Sequence, residues 1–168
     1  LYLDVGAHPE YATAECDTLV DLLAQHRCGD ELLNQLNDAA RSSLNQLPDP
    51  EEIYLFRNNV DSAGNSFGCH ENYLLHRRRD FRQVADGLVA FFVTRLILVG
   101  AGHLRRQGTQ LSYCFSQRAE QMWEAVSSAT TRTRPIINTR DEPLADAGQY
   151  RRLHVISGDT NVCEATTF

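Results

Sequence analysis

The chain has 168 residues, enough for one ordinary domain with its own core, and carries a formal charge of −6 from 16 basic and 22 acidic side chains. An acidic balance of this kind argues against a nucleic-acid binder, which normally presents a basic face. Every basic side chain is an arginine and none is a lysine, for which genomic composition is the plain reading and a functional avoidance of lysine the other.

The first segment, "LYLDVGAHPEY", alternates Leu1, Leu3 and Val5 with Tyr2 and Asp4, and a period of two predicts a strand with the aliphatics on one face. Aspartate is a poor strand former, so the Tyr2–Asp4 face either meets bare solvent or has a task. Gly6 and Pro9 let the chain fold back and return Glu10 toward the strand. "CDTLVDLLAQHRCG" predicts a helix with Leu19, Leu22, Leu23 and His26 on one stripe, closed by Gly29. Asp30 is the expected N-cap of a second helix carrying Leu32, Leu33, Leu36, Ala40 and Leu44, which "LPDPEE" ends. "EIYLFRNN" reads as a strand.

"NNVDSAGNSFGCHENY" is a Gly/Asn/Ser loop entering a short polar strand, in which at least one of His70, Glu71 and Asn72 must face the core side. Asp80 is the expected cap of a third helix, with Phe81, Val84, Leu88, Phe91 and Phe92 inward and Gly100 at its end. Its run "GLVAFFVTRLILVG" is interrupted by Arg95 and falls short of the about 20 apolar residues of a membrane span. "LSYCFS" predicts a strand, Ser116 the cap of a short helix "QRAEQMWEAV", and the last third two strands near 135–139 and 151–157. Cys16, Cys28, Cys69, Cys114 and Cys163 are odd in number with no CxxC pair. That pattern fits free thiols in a reducing cytoplasm better than a disulfide framework or a zinc cluster. Together the elements predict an α+β layer: a largely antiparallel sheet, helices on one face and a site on the other.

Three constellations have chemical content. Asp4 and Glu10 are oxygen donors suited to Mg²⁺ if the chain folds back between them; the other reading is two solvated carboxylates. "DSAGNSFG" offers backbone N–H groups to an anion but lacks a Walker lysine, so a plain hairpin loop explains it as well. "RTRPIINTRDEP" gathers Arg132, Arg134 and Arg140 near Asp141 and Glu142, with Asn138, Arg140 and Glu142 alternating along one polar face. "YRRLHV" sets Arg152 and His154 opposite Leu153 and Val155. Arginine forks bind carboxylates and phosphates bidentately, although surface ion pairing accounts for part of this set. Carboxylates for a metal and arginines for anions are the tools of phosphoryl transfer.

The segments "LYLDVGAHPEYATAECD", "NNVDSAGNSFGCHENYL", "SQRAEQMWEAVSSATTRTRPIINTRDEP" and "YRRLHVISGDTN" closely resemble the Pup ligase/depupylase family, from end to end of the chain and on its ligase side. The resemblance implies a glutamine-synthetase-like carboxylate–amine ligase fold, whose curved sheet forms a cradle for ATP and Mg²⁺. It implies that the side-chain carboxylate of the C-terminal glutamate of Pup, the prokaryotic ubiquitin-like protein, is activated as a γ-glutamyl phosphate. That carboxylate is then joined to a substrate lysine, marking the target for proteasomal degradation. By position, Asp4 matches the catalytic base, Tyr2 and Glu10 match magnesium positions, and Thr13 matches an ATP contact. His70, Arg140 and Glu142 lie in motifs lining the cradle. Residues 1–168 are expected to be the central part of the catalytic domain, without its N-terminal "GxETE" metal segment or its C-terminal portion. Arg57 replaces the lysine of "FKNN", and Leu144 the histidine of "DEPHAD". The alternatives are the sibling depupylase/deamidase, an inactive Pup-binding fragment, and a small-molecule carboxylate–amine ligase. The expected partners are Pup and lysine-bearing proteins, with neither nucleic acid nor membrane.

Overall fold

The structure is a computed structural model that describes residues 1–4, 6–77, 80–129 and 134–163. Val5 and Arg132 therefore lie outside the described residues. The chain divides into two compact units: Leu1–Phe56 together with the end of the chain from Cys163, and Arg57–Val162.

In the first unit, β1 (Tyr2–Asp4) and β2 (His8–Glu10) form an antiparallel hairpin with Tyr2 opposite Glu10, Leu3 opposite Pro9 and Asp4 opposite His8. Gly6, at a φ of +86°, makes the reversal possible because it has no Cβ to clash in the left-handed region. One long helix follows, α1 (Leu19–Leu44), in place of the expected two. It is capped by Thr18, whose hydroxyl accepts from the Asp21 N–H at 3.1 Å and donates to the Asp21 carboxylate at 2.7 Å. Gly29 and Asp30 do not interrupt it. A helix-interior glycine costs about 1 kcal/mol relative to alanine, so its presence calls for a reason other than termination. The Tyr11 ring supplies one, lying where a Gly29 Cβ would point, 2.4 Å from that position. Residues 51–58 form no strand, contrary to the expectation for "EIYLFRNN".

The second unit is built on a four-stranded mixed sheet in the order β3 (Glu71–His76), β8 (Tyr150–Val155), β7 (Pro135–Asn138), β6 (Glu124–Ser127). Three of these strands pair antiparallel, and β6 runs parallel to β7. "QRAEQMWEAV" is thus not a helix: Ser116 caps only a 3₁₀ turn at Ala119–Gln121, accepting from the N–H groups of Arg118 and Ala119, and the remainder is β6. A separate hairpin, β4 (His103–Gln107) and β5 (Gln110–Cys114), contains one strand that the sequence pattern did not announce.

Helix α2 (Phe81–Val99) packs on this sheet through Ala85 and Phe92, which meet Ile137, Leu153 and Val155 in the core. The inward stripe is Phe81, Ala85, Leu88 and Phe92 rather than the predicted set, and Val84 and Phe91 point outward. Steps of four, three and four keep the first group on one face, and Val84 and Phe91 lie one residue off that line. Arg95 continues the buried stripe. It reaches Glu71, the member of the His70–Glu71–Asn72 trio that faces the helix, through the two terminal guanidinium nitrogens, with Nη1–Oε2 at 2.9 Å. Among the described residues no helix is long and apolar enough to cross a membrane.

Candidate functional site

Two groups of polar side chains arise, one in each unit. In the hairpin, residues opposite each other across an antiparallel pair share a face, as do residues two apart along a strand. Tyr2, Asp4, His8 and Glu10 therefore occupy one face, and Leu3 with Pro9 the other. The Leu3–Pro9 face contributes to an apolar hollow of about 340 Å³ also lined by Leu33, Leu36 and Ala40 of α1. The polar face is exposed along its length. The fold-back expected from Gly6 and Pro9 brings Glu10 opposite Tyr2, and diagonal neighbours on such a face lie about 7–8 Å apart. His8 joins them as Asp4's partner, and the hairpin register is the signal that would have found it. Thr13 lies outside the strands, in the exposed segment that runs from β2 to α1.

Oxygen donors, carboxylates above all, are what a hard cation takes, and Mg²⁺ commonly keeps several waters beside one or two protein ligands. The donors of the hairpin fit such an ion as a partial set. Among the described residues no group of three or more His, Cys, Asp and Glu side chains comes together as a metal site.

In the second unit the sheet face turned away from α2 carries Asn72, His154 and Asn138 in register, with Arg152 two residues before His154 on the same face. Arg152 Nε donates to Asn72 Oδ1 at 2.7 Å, and Arg152 Nη1 lies 3.9 Å from Glu142, which accepts from Arg140 Nε at 2.8 Å. Arg140 and Glu142 sit beyond the end of β7 rather than on the strand with Asn138, as the alternation suggested. They are held there by the Arg140 N–H, which donates to Asn138 Oδ1 at 2.8 Å. The His70 and His154 rings meet edge to face at 5.0 Å. Gly68 makes room for the His70 ring, since a Cβ there would stand 2.4 Å from His70 Nε2. The three cradle residues expected from the sequence, His70, Arg140 and Glu142, thus gather around Arg152 and His154.

His154 is 7% exposed, and burial, followed by the charges of Arg152 and His70, pushes its imidazole down to about 4. It is neutral at pH 7, and its Nε2 and the buried Asn138 Nδ2 have no hydrogen-bond partner among the described residues. Between its ordinary value near 6.5 and about 4 the unfolded chain binds the proton that the folded chain does not. Stability should therefore fall as pH drops through that window, by ~2 kcal/mol in all. Urea unfolding midpoints measured at pH 7 and pH 4.5 in the parent and in His154→Gln check this: the variant should lose most of the difference.

The Gly/Asn/Ser loop is not an anion cradle. Asp61 accepts from the Ala63 and Asn65 N–H groups at 2.9 and 2.8 Å and from Asn65 Nδ2 at 2.8 Å, and these bonds hold its carboxyl below the usual range.

The helix-backed mixed sheet is an α+β ligase fold, and solved structures share it. The chain superposes with a TM-score of 0.87 and 50% identity on the Pup ligase PafA of the prokaryotic ubiquitin-like modification pathway in complex with ADP, over 98% of this chain and 36% of that one. A complex between Pup and its ligase PafA gives 0.88 and 47%, over 98% and 33%. The family model for Pup-ligase proteins matches residues 1–168, and the chain belongs to that family. It is 60% identical to the Pup–protein ligase of Jonesia denitrificans over all of this chain and 37% of that relative. It is 58% identical to that of Mycolicibacterium smegmatis over 99% and 37%. The chain spans a little over a third of the length of these curated relatives.

Proposed function

We propose that the chain is the central part of the catalytic domain of an ATP- and Mg²⁺-dependent ligase of the cytoplasm. The enzyme joins the C-terminal glutamate side chain of Pup to substrate lysines and so marks those proteins for proteasomal degradation. One observation carries the reading: the register of the β1–β2 hairpin sets Tyr2 opposite Glu10 with Asp4 on the same face, in a chain of the Pup-ligase family.

In this reading Tyr2 and Glu10 hold the metal, and Thr13 contacts the nucleotide. When bound, ATP and Mg²⁺ supply the phosphoryl group that activates the glutamate carboxylate and neutralise the charge around it. Asp4 acts on the incoming lysine. An ammonium has no lone pair to attack with, so Asp4 takes one proton from it. The nitrogen then forms the amide bond as phosphate leaves the acyl carbon, and the departing phosphate carries off the second proton. Arg140 and Arg152, with neutral His154 and Asn138 as further hydrogen-bonding groups, suit the anionic groups of the substrates. Glu142 bridges the two arginines and holds their forks in place.

Incubation of the full-length protein carrying this chain with Pup, ATP and a lysine-bearing target should yield a new, heavier band on a denaturing gel. Cleavage of a preformed conjugate without formation of new ones would assign the depupylase activity instead. Pup binding without ATP turnover would reduce the chain to a binding module.

A further inference from the structure

The hairpin that carries the proposed metal and base residues is two strands of three residues each. An isolated two-stranded hairpin is marginally stable in water, so the ordering of Glu10 and the segment after it must come from elsewhere. The source is helix α1. Tyr11, the residue next to Glu10, lays its ring over Gly29, where an ideal Cβ would stand 2.4, 2.7 and 2.9 Å from the ring atoms Cδ1, Cε1 and Cγ. Its hydroxyl then reaches one helical turn back and donates to Gln25 Oε1 at 3.0 Å. The same oxygen accepts the backbone N–H of Ala14 at 3.2 Å. Residues 25 and 29 are four apart and stand one above the other on a single face of α1. A single amide oxygen thus ties two points of the chain, Tyr11 and Ala14, and these two points bracket Thr13 and adjoin Glu10.

We propose that Gln25 and Gly29 are positioning residues, a latch on α1 that sets the place of Glu10 and Thr13 and thereby the affinity for the Mg²⁺–nucleotide. The inference rests on the reading that Glu10 binds metal and Thr13 nucleotide, and it adds the residues that present them. The latch explains features that had no account at the sequence level: a glycine in the interior of a 26-residue helix, and a tyrosine directly after the metal glutamate. Gly29 is where two elements approach too closely for any side chain, and the single acceptor oxygen of Gln25 serves both ends of the segment. Neither touches the reacting atoms. Their loss is felt through geometry, since misplacing a ligand by about 1 Å is enough to cost a large factor in binding or rate.

The test uses the full-length protein carrying this chain and four variants: Gln25→Ala, Gln25→Glu, Gly29→Ala and, as a control on the underlying reading, Glu10→Ala. Dissociation constants for Mg²⁺–ADP are measured by titration calorimetry, KM for ATP and kcat by Pup conjugation, and amide hydrogen exchange is followed across residues 11–14. Gln25→Ala and Gly29→Ala should raise the Mg²⁺–ADP dissociation constant and KM about tenfold with kcat changed less than threefold, and exchange at Ala14 should accelerate. Gln25→Glu keeps an acceptor oxygen for both donors and should return affinity to within about twofold of the parent, an outcome that a merely structural helix residue would not require. Unchanged affinity in Gln25→Ala and Gly29→Ala, alongside a weakened Glu10→Ala, overturns the latch and leaves the metal reading standing. Unchanged affinity in Glu10→Ala overturns that reading and the latch with it.

Discussion

Replacing Asp4 with alanine in the full-length protein is expected to cut conjugation by about 10²–10⁴-fold while leaving Mg²⁺–nucleotide affinity within about twofold of the parent. The expectation follows from what Asp4 is asked to do. A lysine side chain titrates near 10.4, so at pH 7 only about one in 2,500 is a free amine. A positioned carboxylate that accepts the proton typically contributes 10²–10⁴-fold, and the conjugation rate should fall by about that factor. Asp4 shares its face with Tyr2 and Glu10 but is not itself assigned to the metal, so the nucleotide constant should not follow the rate. Two further measurements separate a lost base from a damaged site. The rate of Asp4→Ala should climb about tenfold per pH unit between pH 7 and 9, because solution then supplies the free amine that Asp4 no longer generates. A nucleophile already neutral at pH 7 should restore product where lysine does not. Conjugation at the parent rate in Asp4→Ala would remove the residue from the mechanism.

The second large effect concerns the ion pair that fastens α2 to β3. Arg95 and Glu71 are each about a fifth exposed at the side chain, at 17% and 25%, and Glu71 also accepts the Tyr73 hydroxyl at 2.7 Å. Burial and the Glu71 charge push the Tyr73 phenol well above its ordinary range, so that hydroxyl stays protonated and remains a donor. Glu71→Ala leaves a guanidinium facing the sheet without its carboxylate and should cost about 2–3 kcal/mol. Urea unfolding midpoints measure it. The paired substitution Glu71→Leu with Arg95→Leu should recover most of the loss, because it removes both charges and leaves apolar groups against Phe92 and the sheet. A loss below about 0.5 kcal/mol in Glu71→Ala would class the pair with ordinary surface bridges. Glu71 lies between His70 and Asn72, so the same pair also aims those two side chains at the opposite face.

Several of these features were legible before any coordinates. The period of two in "LYLD" placed Tyr2 and Asp4 together, and the Gly6–Pro9 bend returned Glu10 to them. A run of three polar residues in a strand demanded that one face the core, and Glu71 does. The interruption of the most apolar segment by Arg95 is the other half of the same fact, although nothing in the local pattern pairs residues 24 positions apart. The errors have common physical roots. Gly29 and Asp30 resemble a stop and a restart, and local propensity has no means of registering a tyrosine ring that makes the glycine favourable inside a helix. "QRAEQMWEAV" has helical composition, yet Glu124–Ser127 gain more as a strand beside β7 than a short exposed helix would. The sequence pattern of α2 sets Val84 and Phe91 inward where the structure sets them outward, because a helix apolar nearly all round has little periodicity to read.

The division between the two levels follows from the range of the interactions. Alternation, bends, caps and apolar stripes act over a few residues, so the chain alone declared an α+β protein, the hairpin face of Tyr2, Asp4 and Glu10, and the motifs of its family. The gathering of His70, Arg140 and Glu142 around Arg152 and His154, the neutral state of His154, and the hold of Gln25 on Tyr11 and Ala14 depend on residues about 10 to 84 positions apart. Strand register and helix packing bring such residues together, and with them the burial that shifts a histidine and the close approach that admits only a glycine. Those belong to the tertiary structure.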